Sequence, residues 1–251
     1  MDMRTQLKRL LRKYGLDLIR YNTRSSPVAR QIRLFQYFQI DLVFDVGANT
    51  GGFVHELRKT GYEGRIVSFE PLSEAFAQLE IEASRDAYWD VVHTGLGRST
   101  EQKTIHVAKN SESSSFLEMS NRHAKTFPQS IFIGSEVVAV DRLDSVFSEY
   151  YRDDDHVFLK IDTQGYEQHV LDGGSDSLDN ILGIQVEMSL VPLYEGESRL
   201  VELVSFLEDR GYQLMSLAPV IDDPSTGQLL QVDGLFFRPD WPEAYGFSSD
   251  I

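Results

Sequence analysis

The chemistry this chain could perform is concentrated in a glycine-rich turn and in carboxylates placed where strands should end. Asp45-Val46-Gly47-Ala48-Asn49-Thr50-Gly51-Gly52 follows the apolar run Leu42–Val46 and precedes Phe53, Val54 and Leu57 at helical spacing. That is a strand, a tight turn and a helix, the place where an open α/β sheet accepts a nucleotide-like ligand. Glu70 follows Gly51 by 19 residues, at the tip of the next expected strand. A carboxylate held there can accept hydrogen bonds from both hydroxyls of a ribose. A dinucleotide fingerprint would want a second glycine where Asn49 stands, and a phosphate loop would want a lysine after Gly51 or Gly52; neither is present. Asp45 is also the wrong sign for cradling an anion, but it suits the ammonium or sulfonium end of S-adenosylmethionine.

Further along, Lys160-Ile161-Asp162 and Glu187 stand at the expected ends of two later strands, so both carboxylates should project at the same sheet edge. A hydroxyl is a poor nucleophile, and methyl transfer from a sulfonium requires it to be aligned and relieved of its proton. Three roles stay open for Asp162 and Glu187: a direct base, ligands of a Mg²⁺ that acidifies the hydroxyl, or orientation of the cofactor. Glu167 reads as the start of the helix after the turn at Gly165, favourable to the helix dipole. The six histidines have no metal-ligand spacing. The serine-rich stretch 113–116 reads as a loop over the site, with Ser114 and Ser115 as acceptor contacts. Tyr166 and Tyr194 are candidates to stack on a sugar ring.

The elements needed to position these groups are legible as well. From residue 41 short β-branched runs alternate with helical stretches, the pattern of parallel strands with crossover helices. Strands are expected at 42–46, 65–69, 88–92, 156–161 and 181–186. A closing antiparallel pair is expected at 212–217 and 229–237, for seven main strands. Helices are expected from Phe53, from a cap at Ser73, and over 143–150, 167–171 and 200–210. Residues 97–140 interrupt this rhythm with two extra strands, 104–107 and 136–140.

Four motifs in order, Asp-Val-Gly-Ala-Asn-x-Gly at 45–51, Phe-Glu-Pro at 69–71, Leu-Lys-Ile-Asp-Thr-Gln-Gly-Tyr-Glu at 159–167 and Val-Glu at 186–187, resemble the FkbM family of S-adenosylmethionine-dependent methyltransferases over roughly residues 41–238. The resemblance implies a class I methyltransferase fold, an α/β Rossmann-like seven-stranded sheet with helices on both faces and an antiparallel last strand. It also implies methylation of hydroxyl groups, often on sugars or secondary metabolites. Cofactor contacts are then expected at Asp45, Gly47, Ala48, Asn49, Gly51, Glu70, Pro71 and Asp162, and the catalytic set at Asp162, Glu187 and Lys160. The rival reading is a catalytically silent cofactor-binding module that regulates or scaffolds a biosynthetic complex.

Composition bounds the rest. Zero cysteine excludes disulfides, thiolate metal sites and a cysteine nucleophile. A net charge of −15 argues against general nucleic-acid binding. Residues 1–40 carry nine basic and two acidic side chains, net +7, which leaves −22 for the remainder. Leu7, Leu10, Leu11 and Tyr14 mark a basic amphipathic helix there. We therefore expect a basic helical extension over 1–40 and a catalytic domain over 41–251. No signal or membrane-spanning run is visible, so a cytoplasmic protein is expected, with peripheral contact through 1–40 to an anionic inner membrane face.

Overall fold

The computed structural model describes residues 3–239; residues 1–2 and 240–251, the ends of the two expected regions, lie outside the described residues. The chain divides into two compact units between Tyr37 and Phe38. The first holds α1 (Met3–Arg12) and α2 (Pro27–Tyr37). In α1, Leu7 and Leu10 are 46% and 52% exposed. Among the described residues no helix is long and apolar enough to cross a membrane.

The second unit runs β1 (Leu42–Val46), α3 (Gly52–Lys59), β2 (Arg65–Phe69), α4 (Ser73–Ala83), β3 (Trp89–Val92), β4 (Gly95–Leu96), β5 (Glu101–Ala108), α5 (Asn121–Thr126), β6 (Phe132–Asp141), α6 (Leu143–Tyr150), β7 (Val157–Ile161), α7 (Glu167–Gly173), β8 (Ile181–Ser189), α8 (Leu200–Glu208), β9 (Gln213–Asp222) and β10 (Leu229–Phe237). Seven strands form one sheet in the order β3-β2-β1-β7-β8-β10-β9, with β10 antiparallel to both its neighbours. This is the class I methyltransferase arrangement. Every residue of β1 and β7 is buried, because helices cover both faces of the parallel centre; that is why these strands are apolar except for Asp45 and Lys160, which pair with each other. The chain works outward from β1 to β3 and then returns to β7 beside β1. The strand order reverses at that seam, which opens a crevice beyond the carboxyl ends of β1 and β7.

Three expectations shift. The interruption at 97–140 builds a separate small sheet, β4-β6-β5, and its strands are longer than expected because β5 and β6 pair antiparallel along nearly their whole length. β8 continues to Ser189 since β10 pairs with it as far as Gln231↔Ser189, so Glu187 lies inside that strand and not at its end. Ser73 is the first helical residue of α4 and not its cap; its hydroxyl is drawn to Glu136.

Gly183 in β8 shows how tightly the other end of these strands is packed. Phe38 stacks on Phe237 at 4.4 Å, Phe237 lies 5.8 Å from Phe158, and a Cβ at Gly183 would fall 2.4 Å from Phe237 and 2.8 Å from Phe158. Gly183→Ala should therefore destabilise the fold by about 1–3 kcal/mol through overpacking. Chemical denaturation measures this; an unchanged midpoint would mean that the aromatic cluster yields freely.

Candidate functional site

The site grows out of one polar row across the buried sheet. Parallel register places Ser68 of β2, Asp45 of β1, Lys160 of β7 and Gln185 of β8 side by side. Trp89 Nε1 donates to Ser68 Oγ at 2.9 Å, and Ser68 donates to Asp45 Oδ2 at 3.0 Å. Lys160 Nζ lies 3.1 Å from Asp45 Oδ1 and donates to the Gly47 carbonyl at 3.2 Å. Burial works against the Lys160 charge, but the carboxylates of Asp45 and Asp162 outweigh it and hold the ammonium protonated. Gln185 donates to Asp233 Oδ2 of β10 at 3.1 Å.

Strand side chains repeat every second residue, so the positions two further on emerge on the same face at the crevice. They are Glu70, Gly47, Asp162 and Glu187. Gly47 has φ +77°, and a Cβ there would sit 1.9 Å from the Asp162 carbonyl oxygen, so only glycine lets the β1 turn close against the end of β7. Glu70 accepts from the backbone N–H of Asn49 and of Leu72, both at 2.8 Å. Burial pushes its carboxyl up to about 7, and those two hydrogen bonds offset only part of the cost.

Gln164 ties the carboxylates together. It stands at φ +54°, a left-handed conformation uncommon for a residue with a side chain, and its Nε2 donates both to Asp162 Oδ1 at 3.0 Å and to Glu187 Oε2 at 2.9 Å. Tyr194 donates to Gln164 Oε1 at 2.9 Å, which fixes the amide orientation. Gln231 Nε2 donates to Glu187 Oε2 at 3.0 Å. Burial, then the charges of Asp162, Glu167 and Asp233, raise the Glu187 carboxyl well above the usual range. Asp233 is pushed up to about 7 by burial and then by Asp162. Glu167 closes the turn from inside, accepting from the N–H of Thr163 and of Gly165, and burial lifts it to about 7.

These groups line a cavity of about 610 Å³. Of the expected cofactor residues, Gly47, Ala48, Asn49, Glu70, Pro71 and Asp162 face it; Asp45 and Gly51 do not. Asp45 is fully buried with its charge met by Lys160, so it acts on the site through that pair and not as a direct contact for a cation. Gly51, at φ +91°, caps α3 and packs against the Trp89 ring. Lys160, Asp162 and Glu187 all line the cavity, but Lys160 is a committed ammonium with no role as a base. Ser114 lines it, whereas Ser115 turns away to donate to the Gln164 carbonyl at 2.7 Å. Tyr166 and Tyr194 are 2% and 0% exposed and absent from the lining, which corrects the expectation that they stack on a sugar; the loops that carry them fold inward as support.

The residues do not fit the Mg²⁺ alternative. Among the described residues no three acidic or imidazole groups converge on a cation position, and the Gln164 amide donor spans Asp162 and Glu187. Sequence reasoning missed Gln164, Gln185, Asp233 and Gln231 as site residues. Gln185 was findable, being two residues before Glu187 on the same strand face; Asp233 and Gln231 reach the site only through the antiparallel return of β10.

Among solved structures, methyltransferase FkbM from Methylobacillus flagellatus KT is similar at 14% identity and TM-score 0.49, over 86% of this chain and 45% of that protein, so this chain spans less than half its length. An rRNA methylase from Streptococcus thermophilus is similar at 10% identity and TM-score 0.45, over 88% of this chain and 98% of that one. Streptococcus pneumoniae Sp1610, a putative tRNA (m1A22) methyltransferase in complex with S-adenosyl-L-methionine, is similar at 10% identity and TM-score 0.45, over 82% and 72%. Comparison with curated proteins gave no match. The family model described as the methyltransferase FkbM domain matches residues 45–214, more than half of the sequence, and the chain therefore belongs to the FkbM methyltransferase domain family.

Proposed function

We propose that this protein transfers a methyl group from S-adenosylmethionine to a hydroxyl of a small acceptor, a saccharide, glycolipid or secondary metabolite. The reading treats residues 41–251 as the catalytic domain. The observation that carries it is the crevice edge. The Asp162 carbonyl occupies the place of a side chain at Gly47, and Glu70 lines the cavity with two oxygens that each already accept one backbone N–H. Each of those oxygens keeps a lone pair for a ribose hydroxyl. The cofactor supplies an electrophilic methyl on a sulfonium. The carboxyl side of the lining, with Asp162 its half-exposed member, favours such a cation.

Asp162, its side chain 40% exposed, is the carboxylate best placed to take the hydroxyl proton. Glu187 is buried under two amide donors and, through Gln164, holds Asp162 in position. Alignment supplies most of the rate, and the base adds about 10²–10⁴-fold. Paired carboxylates on this geometry favour an enzyme over a silent cofactor-binding module. The basic residues 1–40, with Leu7 and Leu10 half exposed, support contact of a cytoplasmic protein with an anionic membrane surface.

Calorimetry with S-adenosylhomocysteine tests the cofactor. Glu70→Gln should weaken binding by about 1.5–3 kcal/mol, and Asp162→Asn should bind it and lose at least about tenfold in transfer. Full affinity in Glu70→Gln, with the fold intact, would remove the ribose role. The carboxyl cluster also sets a pH dependence. Asp233 holds its proton to about 7 when folded, whereas the unfolded chain loses it near 4, so folding stability falls as pH rises from about 4 to about 7. Asp233→Asn should match the wild type near pH 4 and exceed it by more than about 1 kcal/mol at pH 8; parallel denaturation curves at the two pH values would contradict this. Binding to vesicles rich in anionic lipid should fall at least about tenfold in a K8E/R9E/K13E variant at low salt, and equal binding by both proteins would dismiss the membrane contact.

A further inference from the structure

The cavity extends well beyond the residues expected to hold the cofactor. Its floor crosses the sheet from Glu70 after β2, through the β1 turn, to Asp162 after β7, and continues over β8, β10 and β9 to Gln185, Asp233, Val220 and Ile221. Neighbouring strands lie about 4.8 Å apart, so the last three add about 14 Å of floor past Asp162. Val220, Ile221 and Asp233 also lie beyond residues 45–214, the span that the family model matches, so this end is built by the chain's own C-terminal hairpin. A break in regular pairing aims side chains into it. Consecutive strand residues face opposite sides of a sheet, yet Val220 and Ile221 both line the cavity. The cause is a β-bulge: Pro219 pairs with Val232 and Ile221 with Gln231, which leaves Val220 as the extra residue of β9. Bulges of this kind re-aim side chains and are frequent beside active sites. Ile221 and Phe127, which also lines the cavity, pack on one apolar cluster with Leu193 and Leu230, and Val220, next in the chain, is 42% exposed.

Asp233 is the polar counterpart of this apolar side. It stands directly across from Glu187 on β8 and from Ala218 on β9, so it shares the face that carries Glu187 to the cavity. Its Oδ2 accepts from Gln185 at 3.1 Å, whereas its Oδ1 bonds nothing among the described residues and stays open to the cavity. Lys160 is held by Asp45, and no arginine lines the cavity among the described residues, so this end offers an anion no counterion. Because burial holds the Asp233 proton to about 7, the carboxyl is present in both states near neutral pH. A hydroxyl, which donates and accepts, matches both states, and an ammonium matches only one. A carboxyl that lowers folding stability and yet lines a cavity is characteristic of a ligand-binding position.

Resting on the methyltransferase reading, we propose that Asp233 is a specificity-determining residue for the acceptor. Its Oδ1 takes a hydrogen bond from one hydroxyl of an uncharged, polyhydroxylated molecule, a different hydroxyl from the one that faces Asp162, while the apolar face of the same molecule lies on Val220. The two contacts come from β10 and β9, and together they set which hydroxyl reaches the transferred methyl. Neither takes part in proton removal.

The test uses the full chain saturated with S-adenosylhomocysteine and a set of methyl hexopyranosides with their monodeoxy and amino analogues, read by saturation-transfer NMR and calorimetry. At least one neutral pyranoside should bind. Asp233→Leu, which replaces the carboxyl by methyl groups, should weaken it at least about tenfold with S-adenosylhomocysteine affinity unchanged. Asp233→Asn, which keeps an acceptor oxygen without the charge, should recover most of that loss. One monodeoxy analogue should bind the wild type at least about tenfold more weakly than its parent, yet bind Asp233→Leu as well as the parent does, since hydroxyl and carboxyl are then one contact. Val220→Ser probes the same end at a half-exposed position and should weaken the parent about fourfold or more. No pyranoside binding to a protein that binds S-adenosylhomocysteine, undiminished binding to Asp233→Leu, or deoxy losses equal in Asp233→Leu and wild type would each overturn the role of Asp233. An unaffected Val220→Ser would overturn the apolar contact, and tighter binding of the amino sugars, lost in Asp233→Asn, would overturn the uncharged class. Failure to bind S-adenosylhomocysteine would instead overturn the methyltransferase reading beneath it.

Discussion

The ion pair between Lys160 and Asp45, closed off in the middle of the sheet, is the interaction on which the site depends. Two charges taken out of water are tolerable only when they meet partners, and here Asp45 Oδ1 faces the Lys160 ammonium, Ser68 donates to Oδ2, and the Gly47 carbonyl accepts from Lys160. Deleting one partner of such a pair costs about 3–5 kcal/mol, because the other is stranded in low dielectric. The pair spans the seam where the strand order reverses, so it pins β1 to β7 where the crevice opens. Lys160 also reaches toward Asp162, at 3.7 Å, and so couples the buried row to the layer facing the cavity.

That second layer is crowded with like charge, and its geometry is the result of managing it. Glu70, Glu167, Glu187 and Asp233 all have carboxyls raised by burial, so the cluster holds protons that isolated carboxyls would release. Gln164 supplies an amide between Asp162 and Glu187 at the expense of a left-handed backbone, a strain of about 1–3 kcal/mol that persists only because Glu167 and Tyr194 hold the turn from behind. Strain beside a cluster of titratable groups is characteristic of a functional site and not of plain packing. Tyr194, fully buried, carries weight here as a brace between the Gln164 amide and the Ser113 carbonyl, linking the two walls of the cavity.

The small sheet and the segment after it add what the seven-stranded core lacks. Core strands present their carboxyl ends and little else, so a wall opposite them has to come from an insertion. Residues 109–130 provide it through hydrogen bonds among short polar side chains. The Asn49 side chain reaches across to Ser111 at 2.9 Å, so the glycine-rich turn and the insertion are joined directly.

Much of this was written locally. A strand buried on both faces is mostly apolar, so Leu42–Val46 and Arg65–Phe69 announced themselves despite Asp45 and Ser68; the glycine turn with Glu70 at its set distance marked the crevice, and four motifs together carried the resemblance to the family. Period two also carries Gly47, Asp162 and Glu187 to one edge once the strands are known. What lies opposite a residue is not written locally. Asp45 has the chemistry of a cation contact, yet register with Lys160 consumes it. Tyr166 and Tyr194 have the chemistry of stacking platforms, yet the loops turn them into the core. Asp233 and Gln231 enter only because β10 returns antiparallel beside β8. The sequence by itself determined the element order, the sheet edge and the types of group available there. Tertiary structure alone decided which of those groups face the cavity and which neutralise one another, because burial and pairing depend on residues distant in the chain.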